Sequence, residues 1–248
     1  MKVERNKIIK FAEDYLKVGR FQDYCLNGLQ VEGAPEVSRI VIGVSLSEKL
    51  IKEAVRRKAE MVLVHHGIFS SSVGTPPKFR GALKKRLKLL LENDLNLAGF
   101  HLPLDAHPLI GNNASIAKAL GLARTEPFDI GFVGELKKEM TLKDFAALVG
   151  KKLEARPLLV DAGKRVKRVA VISGGASAYY AQAREMGADT YLTGELLEFV
   201  VREAEEAGIN IVNAGHYNTE KLGIKNLGGL IAKKFKLKAE FVDIPCEV

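Results

Sequence analysis

The sequence predicts an α/β protein made of two similar α/β units that arose by internal duplication, with mixed sheets flanked by helices. The first observation behind this prediction is a repeat at constant spacing. Arg39–Ser45 resembles Arg168–Gly174, and Ala54–His66 aligns without a gap on Ala183–Glu195. Self-similarity of this kind indicates a duplicated supersecondary unit, so each half is expected to repeat one strand and helix order.

A second match lies further along both halves. Leu95–His101 aligns with Ile209–His216, and each segment is followed four residues later by a carboxylate, Asp105 or Glu220. The spacing between the halves is shorter here, so the first half carries an extra segment. We assign that segment to Ser70–Arg80, because its Ser, Gly and Pro residues favour a loop.

Short apolar, β-branched runs provide the third observation, and they predict three strands that alternate with two helices in each half. The first two strands of each half are Ile40–Val44 and Met61–Val64, and Val169–Ile172 and Thr190–Thr193. Ser45 and Ser47 are candidate caps for a helix that begins near Glu48. Strands that are apolar throughout and alternate with helices predict a sheet covered on both faces, with function collected at the carboxyl ends of its strands.

The division between the halves is predicted near residue 125, which gives units at residues 1–125 and 126–248. Gly111 precedes a helix that runs through Leu120, and Thr125–Gly134 has the pattern of a loop and a short strand. Phe235–Ile244 alternates apolar and polar residues and is expected to form a last strand. That strand can join the sheet of its own unit or return to the first.

Composition limits the class of protein. The chain has 248 residues, 47% of them hydrophobic, and 38 Lys and Arg against 30 Asp and Glu give a net charge of +8. The basic residues are spread over helical stretches, which favours solvated faces and leaves a phosphate-bearing ligand or nucleic acid as the alternative. Two cysteines, Cys25 and Cys246, are too few for a disulfide scaffold, and no apolar signal core or membrane span is visible. A folded cytoplasmic protein is therefore expected.

Histidines are concentrated where the predicted strands end. His65 and His66 follow one strand, and His101 and His216 occupy matching positions of the repeat; His107 lies in a predicted loop. Asp105 and Glu220 each come four residues after the histidine of the repeat. Imidazole with carboxylate is the ligand mixture that zinc, iron and manganese accept, so the pattern predicts a metal site.

The adjacent histidines add a geometric constraint. Successive side chains of a strand point to opposite faces, so His65 and His66 can serve one site only from a strand end or loop. There they can bind two different ions, which a carboxylate such as Glu220 or a solvent oxygen would bridge. Two metal ions about 3.5–4 Å apart are a hydrolytic arrangement. The alternative is a closed structural site, which usually includes cysteine, and neither cysteine lies near these motifs.

Several motifs together carry a resemblance to a known family. They are Asp23–Gly33, His65–His66, His101–Ala106, Asp129–Leu136, Thr193–Glu195 and Gly215–Glu220. In order and spacing they resemble the NGG-one-interacting-factor-three-like family, whose bacterial members are often labelled GTP cyclohydrolase I type two homologues. The similarity covers almost the whole chain.

The resemblance implies two interleaved units that assemble into a toroidal homohexamer, with dinuclear metal sites facing an inner cavity. It implies two divalent metal ions per subunit, zinc, iron or manganese. The implied ligands are His65, His66, Asp105, His216 and Glu220. His101 is the candidate catalytic residue, as an outer partner of the metal site or a proton carrier.

Other features depart from the family pattern or have two interpretations. Gly67 stands where many members have proline, and Glu195–Glu198 lacks a histidine that many carry. Glu195 aligns with His66 and either borders the site or starts a helix. Ser173–Ser177 favours a tight strand-to-helix turn over a phosphate-binding loop, because it lacks the lysine and the full glycine pattern of such loops.

The leading functional hypothesis is a dinuclear metal-dependent hydrolase, GTP cyclohydrolase-like in its implied chemistry. A metal-bridging hydroxide would attack a nucleotide or a related phosphorylated small molecule. The first alternative is a metal-stabilised binding or regulatory protein that contacts nucleic acid or a protein partner. A third hypothesis is metal storage or delivery, which predicts weak and readily exchanged ions.

Overall fold

A computed structural model describes residues 2–69 and 78–246 of the chain. Most of the extra segment assigned to Ser70–Arg80 therefore lies outside the described residues. The first part of the chain contains these elements: β1 Val3–Glu4, α1 Arg5–Leu16, β2 Gly28–Val31, β3 Glu36–Val37, β4 Arg39–Ser45, α2 Glu48–Arg56, β5 Met61–His66, α3 Gly81–Glu92, β6 Asn96–Gly99 and α4 Leu102–Asp105.

The elements of the remaining chain follow: α5 Asn112–Leu120, β7 Ala123–Phe128, β8 Gly131–Met140, α6 Leu142–Leu153, β9 Leu158–Val160, β10 Val166–Val171, α7 Tyr180–Glu185, β11 Thr190–Thr193, α8 Glu198–Ala207, β12 Asn210–Asn213, α9 His216–Phe235 and β13 Lys238–Phe241. Among the described residues, no helix combines the length and apolar character that a bilayer span requires.

The chain divides into two compact units. Unit 1 comprises residues 1–104 and 223–244, and unit 2 comprises residues 105–222 and 245–248. The boundary between the units lies between residues 104 and 105, and not near residue 125 as the sequence predicted. Helix α5 belongs to unit 2 because its Ile116 and Leu120 lie in one apolar core with Leu136 of β8 and Phe145 of α6. Residues 125–134 belong to a β7–β8 hairpin, which is longer than the short strand predicted there.

Unit 1 contains a five-stranded mixed sheet in the order β13-β4-β5-β6-β2. The first four strands are parallel, and β2 pairs antiparallel with β6. The tail strand β13 is shorter than predicted, because α9 continues to Phe235, and it joins the unit 1 sheet beside β4. Val41 and Val62 pack against Leu50 of α2 in a buried core on one face of this sheet.

Unit 2 contains a six-stranded mixed sheet in the order β7-β8-β10-β11-β12-β9. Strands β10, β11 and β12 are parallel, and β8 and β9 flank them in antiparallel pairings. Val169 and Val171 pack in one core, whereas Ala170 and Ile172 pack in a second, so both faces of β10 are covered. This arrangement confirms the mixed α/β class predicted from strands that are apolar throughout.

The duplication extends further than the sequence repeat indicated. Unit 1 follows the order α1, β2, β4, α2, β5, α3, β6, and unit 2 follows the matching order α6, β9, β10, α7, β11, α8, β12. In both units an antiparallel strand flanks the third parallel strand. Each unit therefore repeats three parallel strands, with an antiparallel edge strand that precedes them in sequence.

One predicted cap is correct and the other is wrong. The Oγ atom of Ser47 accepts a hydrogen bond from the Leu50 backbone N–H at 3.2 Å and caps α2. Ser45 is the last residue of β4, and its Oγ lies 2.9 Å from Nδ1 of His66. The strand geometry directs Ser45 across to β5, where Ser45 and His66 are register partners.

Candidate functional site

Unit 1 brings three imidazoles together at the carboxyl ends of β5 and β6. His65 and His66 are the last two residues of β5, and His101 lies two residues beyond the end of β6. One nitrogen from each ring lies within 4.8 Å of the others. We call His65, His66 and His101 the histidine cluster. It lies at the carboxyl ends of parallel strands, where α/β sheets commonly collect functional side chains.

A backbone carbonyl fixes the proton position of His65. Its Nδ1 lies 2.7 Å from the carbonyl oxygen of Phe100, and His65 is 1% exposed. A carbonyl only accepts hydrogen bonds, so Nδ1 carries the hydrogen and donates it. Nε2 is then the ring position that can coordinate a cation, and a carbonyl behind the other nitrogen is a usual partner of metal-binding histidines.

Hydrogen bonds engage both nitrogens of the His101 ring. Nδ1 lies 2.9 Å from Oδ1 of Asp23, and Nε2 lies 3.3 Å from the hydroxyl of Tyr24. The His101 backbone N–H also donates to Oδ1 of Asn27 at 2.7 Å. Both ring nitrogens of His101 therefore have partners within unit 1.

Asp23 is a residue of this site that the sequence did not single out. Its carboxylate also accepts hydrogen bonds from the backbone N–H groups of Cys25 and Leu102 and from Nδ2 of Asn27, each at 2.9 Å. Burial alone raises the pKa of the Asp23 carboxyl, but hydrogen bonds from His101, Asn27 and Cys25 outweigh it and lower the pKa to about 2. Asp23 is therefore ionised at neutral pH.

Strand pairing brings Asp23 to His101. Gly28 of β2 is the register partner of Gly99 of β6, and the two strands are antiparallel. The residues that precede Gly28 therefore lie beside those that follow Gly99. The motif Asp23–Gly33 carried the family resemblance, but no spacing in it indicates which residue faces a histidine about 80 positions away, so only the tertiary structure identifies the contact.

Unit 2 brings together the other predicted ligands. Nε2 of His216 lies 3.0 Å from Oε2 of Glu220, one helical turn along α9. The carboxylates of Asp105 and Glu220 lie within 4.8 Å of each other, and these residues are 2% and 3% exposed. We call Asp105, His216 and Glu220 the carboxylate cluster. Two buried acids beside an imidazole form a donor set suited to a divalent cation.

Neighbouring polar groups hold the carboxylate cluster in place. Oδ1 of Asp105 accepts hydrogen bonds from Nδ2 of Asn112 at 2.8 Å and from Oγ of Ser173 at 3.1 Å. Gly174 has a φ of +69°, and a Cβ there would collide with the Glu220 carboxylate and approach Nε2 of His216 to 3.3 Å. Glycine is required at this position by both its backbone conformation and its close approach to the carboxylate cluster.

Glu195 borders the carboxylate cluster and does not start a helix. Its Oε1 lies 2.6 Å from Nδ1 of His216, while α8 begins later, at Glu198. Burial lowers the pKa of the His216 imidazole, but the hydrogen bonds and charges of Glu220 and Glu195 outweigh this effect and raise the pKa to about 9. In the absence of a cation, His216 is thus protonated at neutral pH.

The glycine-rich segment after β10 forms a turn, as predicted. The backbone N–H of Ser173 donates to Oδ1 of Asn113 at 2.7 Å, and that of Gly174 donates to Oγ1 of Thr219 at 3.1 Å. These two N–H groups are therefore engaged by side chains of the protein. A phosphate-binding loop would instead present them to its ligand.

Comparison with known proteins decides the family. The model of the DUF34/NIF3 (NGG1p interacting factor 3) family matches residues 3–247. The chain belongs to the DUF34/NIF3 family. A Pseudomonas aeruginosa relative named as a GTP cyclohydrolase 1 type 2 homolog is 44% identical over 99% of both chains. This finding confirms the family resemblance drawn from the motifs.

Solved structures of other proteins share this DUF34/NIF3 fold. A protein described as ybgI, of unknown function, superposes with a TM-score of 0.95 at 38% identity, over 99% of this chain and 100% of the other. TTHA1606 from Thermus thermophilus superposes with a TM-score of 0.91 at 33% identity, over 99% and 100% of the two chains. This chain therefore shares its fold with each of the two structures over almost its whole length.

Proposed function

We propose that this protein is a divalent-metal-dependent hydrolase with a dinuclear site. The proposed ligands are His65, His66, Asp105, His216 and Glu220, and the proposed cations are two zinc, iron or manganese ions per subunit. Bound cations of this kind would supply Lewis-acid activation of water and of the bond to be broken. The observation that carries the proposal is the donor chemistry of the two clusters.

Within each unit the donors fit such cations. The histidine cluster has ligand nitrogens within 4.8 Å, and hydrogen bonds at Nδ1 of His65 and His66 direct Nε2 of each ring toward coordination. The carboxylate cluster holds two buried anionic groups that a cation would neutralise.

The substrate class we propose is a nucleotide or a related phosphorylated small molecule. Two features support it: the net charge of +8, and relatives named as GTP cyclohydrolase 1 type 2 homologs. His101, oriented by Asp23, would carry a proton during hydrolysis. We also propose a homohexamer, on the family resemblance alone, and light scattering of the purified protein would measure it directly.

The test compares wild type with Asp105→Ala and Glu220→Ala on nucleotides, phosphoesters and cyclic amides. We expect the metal-loaded wild type to turn over at least one compound, and both variants to lose bound metal and turnover while they keep the circular dichroism spectrum of wild type. Metal-loaded wild type that turns over nothing, but binds DNA with a steep salt dependence, would overturn the proposal in favour of a nucleic-acid-binding protein.

A further inference from the structure

Tyr24 combines an exposed side chain with a hydrogen bond to a buried one. The residue is 62% exposed, yet its hydroxyl lies 3.3 Å from Nε2 of His101, which is 5% exposed. The two rings meet edge to face with centroids 4.8 Å apart. The phenol therefore lies between solvent and this nitrogen of the imidazole.

Asp23 sets the direction of the hydrogen bonds behind Tyr24. Because its carboxylate is surrounded by N–H donors from Cys25, Asn27 and Leu102, it acts as an acceptor toward His101 as well. Nδ1 of His101 then carries a hydrogen and donates it to Asp23. Nε2 can accept the hydrogen of the Tyr24 hydroxyl or, once protonated, donate to that oxygen.

We propose that Tyr24 is the catalytic residue that exchanges protons with substrate, and that His101 and Asp23 act through it. This inference rests on the proposed hydrolase function and deepens it. His101 is 5% exposed and both of its nitrogens are engaged, whereas Tyr24 is 62% exposed, so the phenol is the more accessible of the two groups to a substrate. A reactive hydroxyl, a histidine and an orienting carboxylate in line are a known arrangement for activating a hydroxyl group.

The proton balance closes over one hydrolytic cycle. When water attacks phosphorus, its proton passes to Tyr24 Oη while the phenolic proton moves to Nε2 of His101. The resulting imidazolium is paired with Asp23. When the bond from phosphorus to the leaving oxygen breaks, Nε2 returns its proton to Tyr24 Oη, and Tyr24 delivers its proton to that oxygen. Water and ester are consumed, an alcohol and a phosphate are released, and the three side chains return to their starting states.

The experiment compares two esters of guanosine 5′-phosphate that differ only in the leaving group. The p-nitrophenyl ester needs little proton donation, because p-nitrophenolate is a stable anion, whereas the phenyl ester needs much more. In Mn²⁺-loaded protein, Tyr24→Phe is expected to slow hydrolysis of the phenyl ester on the order of 100-fold or more, which is the range of general acid–base catalysis. Hydrolysis of the p-nitrophenyl ester loses the acceptor of the water proton as well, so it is also expected to slow, but at least about tenfold less than that of the phenyl ester.

Two further variants complete the test. His101→Gln is expected to show the same dependence on the leaving group, because the relay behind Tyr24 is broken. Tyr180→Phe is the matched control, since the exposed Tyr180 hydroxyl donates to Glu203 at 2.6 Å in unit 2, and it is expected to leave both rates unchanged.

Equal slowing of the two esters by Tyr24→Phe, or no slowing, would overturn the inference and leave the proposed hydrolase intact. Failure of the wild type to hydrolyse either ester, or any compound of the wider panel, would refute the hydrolase proposal itself, and the role of Tyr24 with it. The two failures are therefore distinguishable.

Discussion

The carboxylates of Asp105 and Glu220 lie within 4.8 Å of each other although both side chains are buried. Two ionised carboxylates at this separation, away from bulk water, repel each other. A divalent cation would remove that repulsion. The effect of metal on stability should therefore depend strongly on this pair.

Replacement of Asp105 by Asn should change stability in opposite directions with and without metal. In the presence of EDTA the variant should unfold at a higher temperature than wild type, because the repulsion with Glu220 is gone. The side-chain oxygen that accepts hydrogen bonds from Asn112 and Ser173 remains in asparagine. With Zn²⁺ or Mn²⁺ at about 100 times the wild-type Kd, wild type should gain about 2.7 kcal/mol and the variant far less.

Thermal unfolding with and without metal measures both effects. Asp14→Asn is the control, because Asp14 is exposed and its carboxylate forms a surface ion pair with Lys10. That variant should keep the full response to metal. If Asp105→Asn were equally destabilised in EDTA and in metal, Asp105 would not bind the cation.

Gly174 and Gly163 form a matched pair for testing the carboxylate cluster. Their φ values are +69° and +72°, but a Cβ at Gly163 meets nothing within 4 Å, whereas one at Gly174 collides with Glu220. Alanine should cost about 1 kcal/mol at either position from backbone strain. Only Gly174→Ala should also weaken metal binding in calorimetric titration, and equal metal affinities in the two variants would contradict this assignment.

Ser45 and Ser47 have the same side chain but different partners. Ser45→Ala removes the hydrogen bond to Nδ1 of His66 and should lower metal affinity about 10–100-fold, as loss of such supporting groups does. Ser47→Ala removes the α2 cap and should cost about 1 kcal/mol of stability with no change in metal affinity. Denaturant unfolding and metal titration of both variants separate the two roles.

Asp23 should contribute to stability in a defined acid range. Its pKa is lowered to about 2 in the folded protein, against about 3.9 when unfolded, so its contribution is present above about pH 4 and is lost as pH falls toward 2. Since the side chain is 3% exposed, Asp23→Asn should cost about 2 kcal/mol at pH 7. Urea unfolding of wild type and variant across pH 2–7 should converge at the acid end.

The raised pKa of His216 predicts a second pH range in the metal-free protein. The folded value of about 9 exceeds the usual 6.5, so this stabilisation is complete below pH 6.5 and disappears as pH rises to about 9. Histidine NMR in EDTA should detect the titration of His216. Glu195→Gln should shift it to lower pH, and an unchanged midpoint would show that Glu195 does not act on His216.

The sequence predicted the central strands and the tail strand β13, but not the antiparallel strands β2 and β9 that flank β6 and β12. β4, β5, β10 and β11 are apolar and β-branched, and their sequences align between the halves. Gly28–Val31 and Leu158–Val160 are short and dissimilar, and only main-chain hydrogen bonds to β6 and β12 define them as equivalent. The domain boundary was misplaced for a similar reason, since local pattern does not show which sheet α5 packs against.

Residue chemistry singled out the histidines and carboxylates as one metal site, and the structure clusters His65 with His66 in unit 1 and Asp105 with His216 and Glu220 in unit 2. The groups around them were harder to predict, because Asp23, Tyr24 and Ser45 belong to residue types common on any surface. Their roles depend on antiparallel pairing of β2 with β6 and on the register of β4 with β5. A sequence motif does not encode either contact in its own spacing.

The most direct test of the central claim is an anomalous-scattering map from crystals grown without chelator. We expect two divalent cations per chain, in contact with His65, His66, Asp105, His216 and Glu220. Crystals of the same protein that contain no cation at these side chains, even after soaking with Zn²⁺ and Mn²⁺, would contradict it.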